Sequence, residues 1–105
     1  MSRVFVAGLI NIETTLQVDG FPVPYFPVRY PFFGVNSSVS GVGYNLSKAL
    51  TCLGDEVRFA SLIGRDLASE SVYQALARDH IPTDLVLADL ERTAQSVILY
   101  DGKGQ

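Results

Sequence analysis

A helix that begins on glycine, set between two apolar β-rich runs at residues 4–10 and 56–63, limits the fold of this chain more than any other feature. From Leu46 onward the apolar residues fall at Leu46, Ala49, Leu50 and Leu53, the i, i+3, i+4, i+7 spacing of one helical face, and this predicts those four as core-facing. Gly54 follows where a residue of positive φ closes a helix, and Ser40, Gly41 and Gly43 stand where it must begin. Residues 4–10 form a short continuous run rich in β-branched side chains, which predicts a central strand buried on both faces. Residues 56–63 read as a second strand. Strand, helix and strand in that order make a βαβ crossover, right-handed by the general rule for parallel connections.

The stretch between the first strand and the helix has another character. Residues 14–18 alternate like an exposed edge strand, Asp19-Gly20 signals a turn, and 28–33 and 35–39 are further strand candidates. Pro22, Pro24, Pro27 and Pro31 hold the middle of this stretch to loop or sheet edge, because proline cannot donate to a central ladder. The segment at 14–39 is therefore expected to be a small β-flap standing off the main sheet. Phe21, Tyr25, Phe26, Tyr30, Phe32 and Phe33 crowd into it. So many rings cannot all bury against two or three thin strands, which points to a cover over a site or a patch that meets a second subunit.

Beyond the second strand come the loop Gly64-Arg65-Asp66 and a helical pattern over 67–79 with Val72, Ala75, Leu76 and Asp79 along one side. Pro82 forbids its continuation, and His80 reads as a helix-end residue meeting the dipole rather than as a catalyst. Residues 85–88 and 93–100 are strand candidates. Asp101-Gly102 then gives a hairpin signal with no returning strand, so 93–100 reads as a hairpin cut at its turn. Two helices cannot cover several buried strands. Residues 1–105 are accordingly expected to be the N-terminal portion of one larger α/β domain.

Composition narrows the partners. A hydrophobic share of 48% with 18% charged residues describes a chain that buries a core. A net charge of −3, with the basic residues scattered, leaves no footprint for nucleic acid or an anionic membrane. No apolar run approaches the ~20 residues that cross a bilayer. The single cysteine, Cys52, cannot form an internal disulfide, which suits a reducing cytoplasm, and it reads as a small buried hydrophobe rather than a catalytic thiol.

Two places carry candidate chemistry. Asn11 and Glu13 follow the first strand, where the ligand crevice of an open α/β sheet lies; Glu13 can accept from two hydroxyls and Asn11 can donate or accept. Gly41, Val42 and Gly43 open the helix and Asn45 stands in its first turn. Unpaired backbone N–H groups there favour oxygen-rich or anionic ligands, while the same glycines serve equally well for a tight turn and close packing. A dinucleotide-binding reading is disfavoured, because Gly41-Val42-Gly43 lies about thirty residues after the first strand and lacks the third glycine. No metal-ligating cluster and no catalytic residue stand out.

Five features in order carry a family resemblance: Gly8-Leu9-Ile10-Asn11-Ile12-Glu13, the β-flap, Gly41-Val42-Gly43-Tyr44-Asn45, Ile63-Gly64-Arg65-Asp66, and a helix ending before Ile81-Pro82. In these the chain resembles the N-terminal third of the ribokinase-like (PfkB-type) carbohydrate kinases. The resemblance implies a Rossmann-type parallel α/β sheet, present in part, with an inserted β-flap lid. It further implies a parent enzyme that uses ATP and Mg2+ to phosphorylate a hydroxyl of a sugar or nucleoside. Asn11, Glu13, Gly41, Val42, Gly43 and Asn45 would hold the substrate hydroxyls, and the lid would close over them and pair subunits into a homodimer. The family usually has aspartate where this chain has Glu13, which reaches one methylene further. The family's Asp-Thr-x-Gly-Ala-Gly-Asp signature, which supplies the anion hole and catalytic base, appears nowhere in these residues, so the 105-residue chain alone is expected to be inactive. Two other readings remain open: a stand-alone sugar- or nucleoside-binding module, and a subunit completed by another chain.

Overall fold

The computed structural model describes residues 2–25, 28 and 33–103, and among these the chain forms six strands and two helices. They are β1 (Arg3–Ala7), β2 (Asn11–Gln17), β3 (Val35–Ser40), α1 (Val42–Cys52), β4 (Glu56–Gly64), α2 (Leu67–Arg78), β5 (Val86–Leu90) and β6 (Gln95–Tyr100). The strands divide into two sheets. One is all parallel in the order β1-β4-β5; the other, in the order β3-β2-β6, pairs β2 antiparallel to β3 and parallel to β6. The mixed α/β architecture with a parallel sheet agrees with the sequence expectation.

Period-2 alternation decides which side of the parallel sheet is covered. Val6, Val57, Phe59, Ile63 and Val86 pack with Tyr44 of α1 and with Val72, Ala75 and Leu76 of α2 in a single core. Both helices thus cover one face. On the other, Phe5, Leu62 and Leu87 stand 64%, 51% and 46% exposed. Here β1 departs from expectation: it is an edge strand, shorter than 4–10 and buried on one side only, because no described element lies against its second face. The apolar run does not end there. It continues through Ile10, fully buried, where the chain leaves the first sheet for the second.

Helix α1 corrects a second expectation. Its buried residues are Gly43, Tyr44 and Ser47, with Leu50 half-buried against the core, whereas Leu46 and Leu53 are 49% and 79% exposed. The helix carries apolar side chains on two sides, and spacing alone cannot say which side meets the sheet. Backbone contact does. A Cβ on Gly43 would lie 2.7 Å from the Gly8 carbonyl carbon and 2.9 Å from a Phe59 ring carbon, so α1 can approach β1 and β4 this closely only on its glycine side. Cys52, expected in the core, is exposed for the same reason.

Helix α2 follows its predicted face, with Val72, Ala75 and Leu76 buried. Asp66 caps it by accepting from the Ser69 N–H at 3.2 Å, and His80, at φ 61°, ends it beyond Asp79. No described helix is long and apolar enough to cross a membrane.

The second sheet is the flap, built differently from expectation. The expected edge strand at 14–18 is not an edge: residues 14–17 belong to β2, the central strand of this sheet, flanked by β3 and by β6 from far along the chain. A flap drawn from a continuous 14–39 segment omits both Asn11–Glu13 and β6. The expected strand at 28–33 lies largely outside the described residues, and Val28 and Phe33 are not in strand. Phe21, Tyr25 and Phe33 are 50%, 88% and 94% exposed, in keeping with an unburied aromatic patch, while Phe26, Tyr30 and Phe32 also lie outside the described residues. Because the flap stands off the sheet, the radius of gyration is 16.2 Å, against ~13 Å for a compact chain of this length.

Candidate functional site

Register builds the site. Asn11 pairs with Ser40, and Glu13 with Ser38 on one side and Ser96 on the other, so alternation gathers Asn11, Glu13, Ser38, Ser40 and Ser96 on one polar face of the flap. Ile12 and Val39, on the reverse face, pack against the core and anchor the flap's root. Asn11 and Glu13 are therefore strand residues, not the loop residues expected. Their backbone is held on both sides by ladder bonds, which fixes where their side chains emerge.

Asn11 is 8% exposed; its Nδ2 donates to the Ser96 hydroxyl at 3.0 Å, and its Oδ1 is buried with no hydrogen-bond partner. Leaving a buried acceptor unpaired costs about 1–3 kcal/mol, and such a cost persists where a missing partner completes the site. The half-buried Glu13 side chain makes no hydrogen bond or ion pair among the described residues, leaving both carboxylate oxygens open. From the helix side, Asn45 Nδ2 donates to Ser40 Oγ at 3.4 Å. Glu13 and Asn45 thus face the same side, linked through β3.

The glycines divide their labour. Gly41 has φ 109°, and a Cβ there would lie 2.5 Å from the Leu9 carbonyl oxygen, so it makes the turn from β3 into α1. Gly43 serves close packing. The Tyr44 N–H donates to the Leu9 carbonyl at 3.2 Å and the Asn45 N–H to Gly41 at 2.8 Å, which leaves the Val42 and Gly43 amides as the helix-start donors without an acceptor among the described residues. Val42, 78% exposed, offers only backbone to the site. Because α1 follows a strand of the flap rather than a strand of the parallel sheet, the strand–turn–helix of a dinucleotide fingerprint is not formed.

Two clusters escaped the sequence reading. Asp66 Oδ2 accepts from the Thr93 N–H at 2.8 Å and Oδ1 from the Thr93 hydroxyl at 2.8 Å, while Oγ1 of Thr93, a residue 3% exposed, accepts from the Gly64 N–H at 3.0 Å. Gly64 admits no Cβ: one would lie 2.2 Å from the Arg92 and Thr93 backbone. This latch fixes the end of β4 to the chain entering β6, and so sets the flap's third strand. The Thr93 backbone and side-chain bonds, with the Ser69 N–H, hold the Asp66 carboxyl below its usual range. An aspartate three residues before Ser69 is a visible capping signal; nothing in sequence pairs it with Thr93.

The second cluster lies on the reverse of the flap. Tyr44, 2% exposed, donates its hydroxyl to Asp79 Oδ2, and Arg78 reaches both the Tyr44 hydroxyl at 3.4 Å and Asp79 Oδ1 at 3.5 Å. Burial and then the Asp79 bond push the Tyr44 phenol up. Burial works to raise Asp79 as well, but the Tyr44 and Arg78 hydrogen bonds and the charges of Lys48 and Arg78 outweigh it and hold Asp79 low. The cluster clamps α1 to α2.

A family model described as pfkB family carbohydrate kinase matches residues 1–105. Among solved structures, the chain is similar to a ribokinase from Thermotoga maritima (TM-score 0.80, 26% identity, 99% of this chain and 34% of that one). It is similar also to a ribokinase from Cryptococcus neoformans in complex with ADP (TM-score 0.78, 23% identity, 100% and 32%). A third is a Burkholderia thailandensis nucleoside kinase in complex with inosine (TM-score 0.75, 18% identity, 96% and 32%). The chain spans about a third of the length of these proteins.

Proposed function

This chain belongs to the pfkB family of carbohydrate kinases, and from that premise we propose that residues 1–105 are the N-terminal, substrate-binding portion of an ATP-dependent sugar or nucleoside kinase. Asn11, Glu13 and Asn45 hold hydroxyls of the substrate, the Val42 and Gly43 amides at the turn made by Gly41 receive a further oxygen, and the flap covers them. The observation that carries this is the buried, unpartnered Oδ1 of Asn11 on the same face as the open Glu13 carboxylate. A hydroxyl-rich ligand supplies donors to both. Relatives solved with ADP and with inosine support a nucleotide and a nucleoside or sugar as the two reactants of the parent.

Among the described residues no group of three or more His, Cys, Asp or Glu could hold a metal ion, and we assign no side chain of this portion to ATP or magnesium. No step of phosphoryl transfer is therefore assigned to these side chains; their part is to orient the accepting hydroxyl, the positioning on which such transfer depends. The 105-residue chain alone is inactive in this reading, the parent is cytoplasmic, and the exposed aromatics of the flap pair two copies.

A second reading is favoured by the uncovered sheet face at Phe5, Leu62 and Leu87 and the outward stripe Val42, Leu46 and Leu53 on α1: a subunit completed by another chain. Both readings keep the substrate contacts. Calorimetric titration of the chain with a panel of sugars and nucleosides tests them. Glu13→Gln, which keeps size and removes charge, is expected to weaken the best ligand roughly tenfold, the worth of about 1.5 kcal/mol for a charge-assisted bond. Unchanged affinity in that variant refutes the assignment, and turnover of ATP by the 105-residue chain above background refutes its inactivity.

A further inference from the structure

The reverse side of the flap encloses a cleft of about 650 Å³, lined by Ile12, Ser37, Ser38 and Val39 of β2 and β3 and by Tyr44, Lys48, Ser71, Gln74, Ala75 and Arg78 of α1 and α2. Its volume falls within the range typical of small-molecule sites. It is not the site described above. Ile12 sits between Asn11 and Glu13 on β2, and alternation turns it to the opposite face of the sheet.

The chemistry of the walls selects the occupant. Lys48 and Arg78 bring two cations, no carboxylate is among the described lining residues, and the neighbouring Asp79 is engaged by the Tyr44 hydroxyl and by Arg78. A positive charge remains over. Around it stand the Ser37 and Ser71 hydroxyls and the Gln74 amide, while Ile12, Val39 and Ala75 supply an apolar floor. The one aromatic wall residue, Tyr44, is 2% exposed with its hydroxyl engaged, so no ring face is offered for stacking a base.

We propose that this cleft binds a phosphorylated sugar-sized molecule, the phosphate at Lys48 and Arg78 and the hydroxyls along Ser37, Ser71 and Gln74. Such a ligand bridges the flap to both helices, on the far side of the sheet from Asn11 and Glu13. Only the lining residues and their charges select it, so its binding is independent of the kinase reading.

Titration of the 105-residue chain with glucose 6-phosphate, inorganic phosphate and glucose, followed by amide chemical shifts, tests it. Glucose 6-phosphate is expected to bind more tightly than either other probe and to move the amides of Ser37, Lys48, Ser71, Gln74 and Arg78. Lys48→Glu is expected to weaken it roughly tenfold, the loss of one charge-assisted hydrogen bond. Ser71→Asp, at an exposed position outside the core, is expected to do the same by repulsion with an unchanged melting curve. Equal affinity for inorganic phosphate, equal affinity for glucose, no saturation at millimolar concentration, or shifts confined to Asn11, Glu13 and Asn45 would each overturn the proposal. Of these outcomes only the last bears on whether Asn11, Glu13 and Asn45 hold a substrate, and it would support that reading while overturning this one.

Discussion

Replacing Gly43 by alanine separates the two uses a glycine at a helix start can have. In a helix, alanine is favoured over glycine by up to ~1 kcal/mol, so where Gly43 merely leaves room for a ligand, the variant gains stability and loses only binding. Contact with the Gly8 backbone reverses the sign. The new Cβ would lie 2.7 and 2.9 Å from two backbone atoms of Gly8 and 2.9 Å from the Phe59 ring, well inside the 3.4–4 Å of ordinary contact. The Gly8 atoms belong to backbone and cannot swing aside. Overpacking of this kind costs about 1–3 kcal/mol, so its central value of ~2 kcal/mol less a propensity gain of ~1 leaves a net loss of ~1 kcal/mol. For a domain of this size that lowers the melting temperature by about 4–8 °C per kcal/mol. Gly20, where an added Cβ would meet nothing within 4 Å, provides the control: Gly20→Ala is expected to be neutral or stabilising by up to ~1 kcal/mol. Urea unfolding monitored by circular dichroism reads both. A Gly43→Ala chain as stable as the wild type, with Gly20→Ala behaving as expected, would show that α1 does not rest on Gly8 and would remove the reason given for its buried face.

The latch yields two further expectations. Thr93→Val keeps the shape but strips the buried Gly64 N–H of its acceptor, and is expected to lose about 1–3 kcal/mol in urea unfolding; a loss below ~0.5 kcal/mol would refute the pairing. Asp66 has its carboxyl held below the usual range in the fold, so its contribution is present above the ordinary carboxylate pKa and is lost as pH falls through the lower folded value. Acid titration of stability should therefore show a shallower fall below pH ~4 in Asp66→Asn than in the wild type, and superimposable slopes would contradict it.

Much of this arrangement could be read from the residues themselves. The run at 56–63 and the helix at 67–79 have single, unambiguous periods, and both took the expected form, since β-branched residues flanked by polar turns and a one-sided apolar stripe each admit one structure. The α1 face was not legible, because Leu46, Ala49 and Leu53 make an apolar stripe as regular as the one that is buried, and the deciding contact is between Gly43 and a residue 35 positions earlier. β6 was legible as a strand within 93–100 but its place was not: a strand that pairs in parallel with one more than eighty residues away leaves no local trace of its partner. Asn11, Glu13 and Asn45 were visible as polar residues, the first two after the opening strand and the third in the first turn of the helix. Their common orientation came only from the register, which places Ser40 between them. The Asp66–Thr93 latch and the Tyr44–Asp79–Arg78 clamp join segments that sequence proximity cannot associate.

All three strands of the flap join the rest of the chain at the same end. β2 starts there at Asn11, β3 finishes there at Ser40, and β6 enters there at Gln95, while Gln17, Val35 and Tyr100 lie together at the far tip. A sheet rooted in this way behaves as a cantilever: ladder bonds resist shear between neighbouring strands, so the compliant motion is bending about the line of attachment. The Leu9–Gly41 turn contact and the Thr93 latch lie on that line. Stiffening either would be felt as reduced travel at the tip, some six residues out along each strand, without a single contact at the tip being altered.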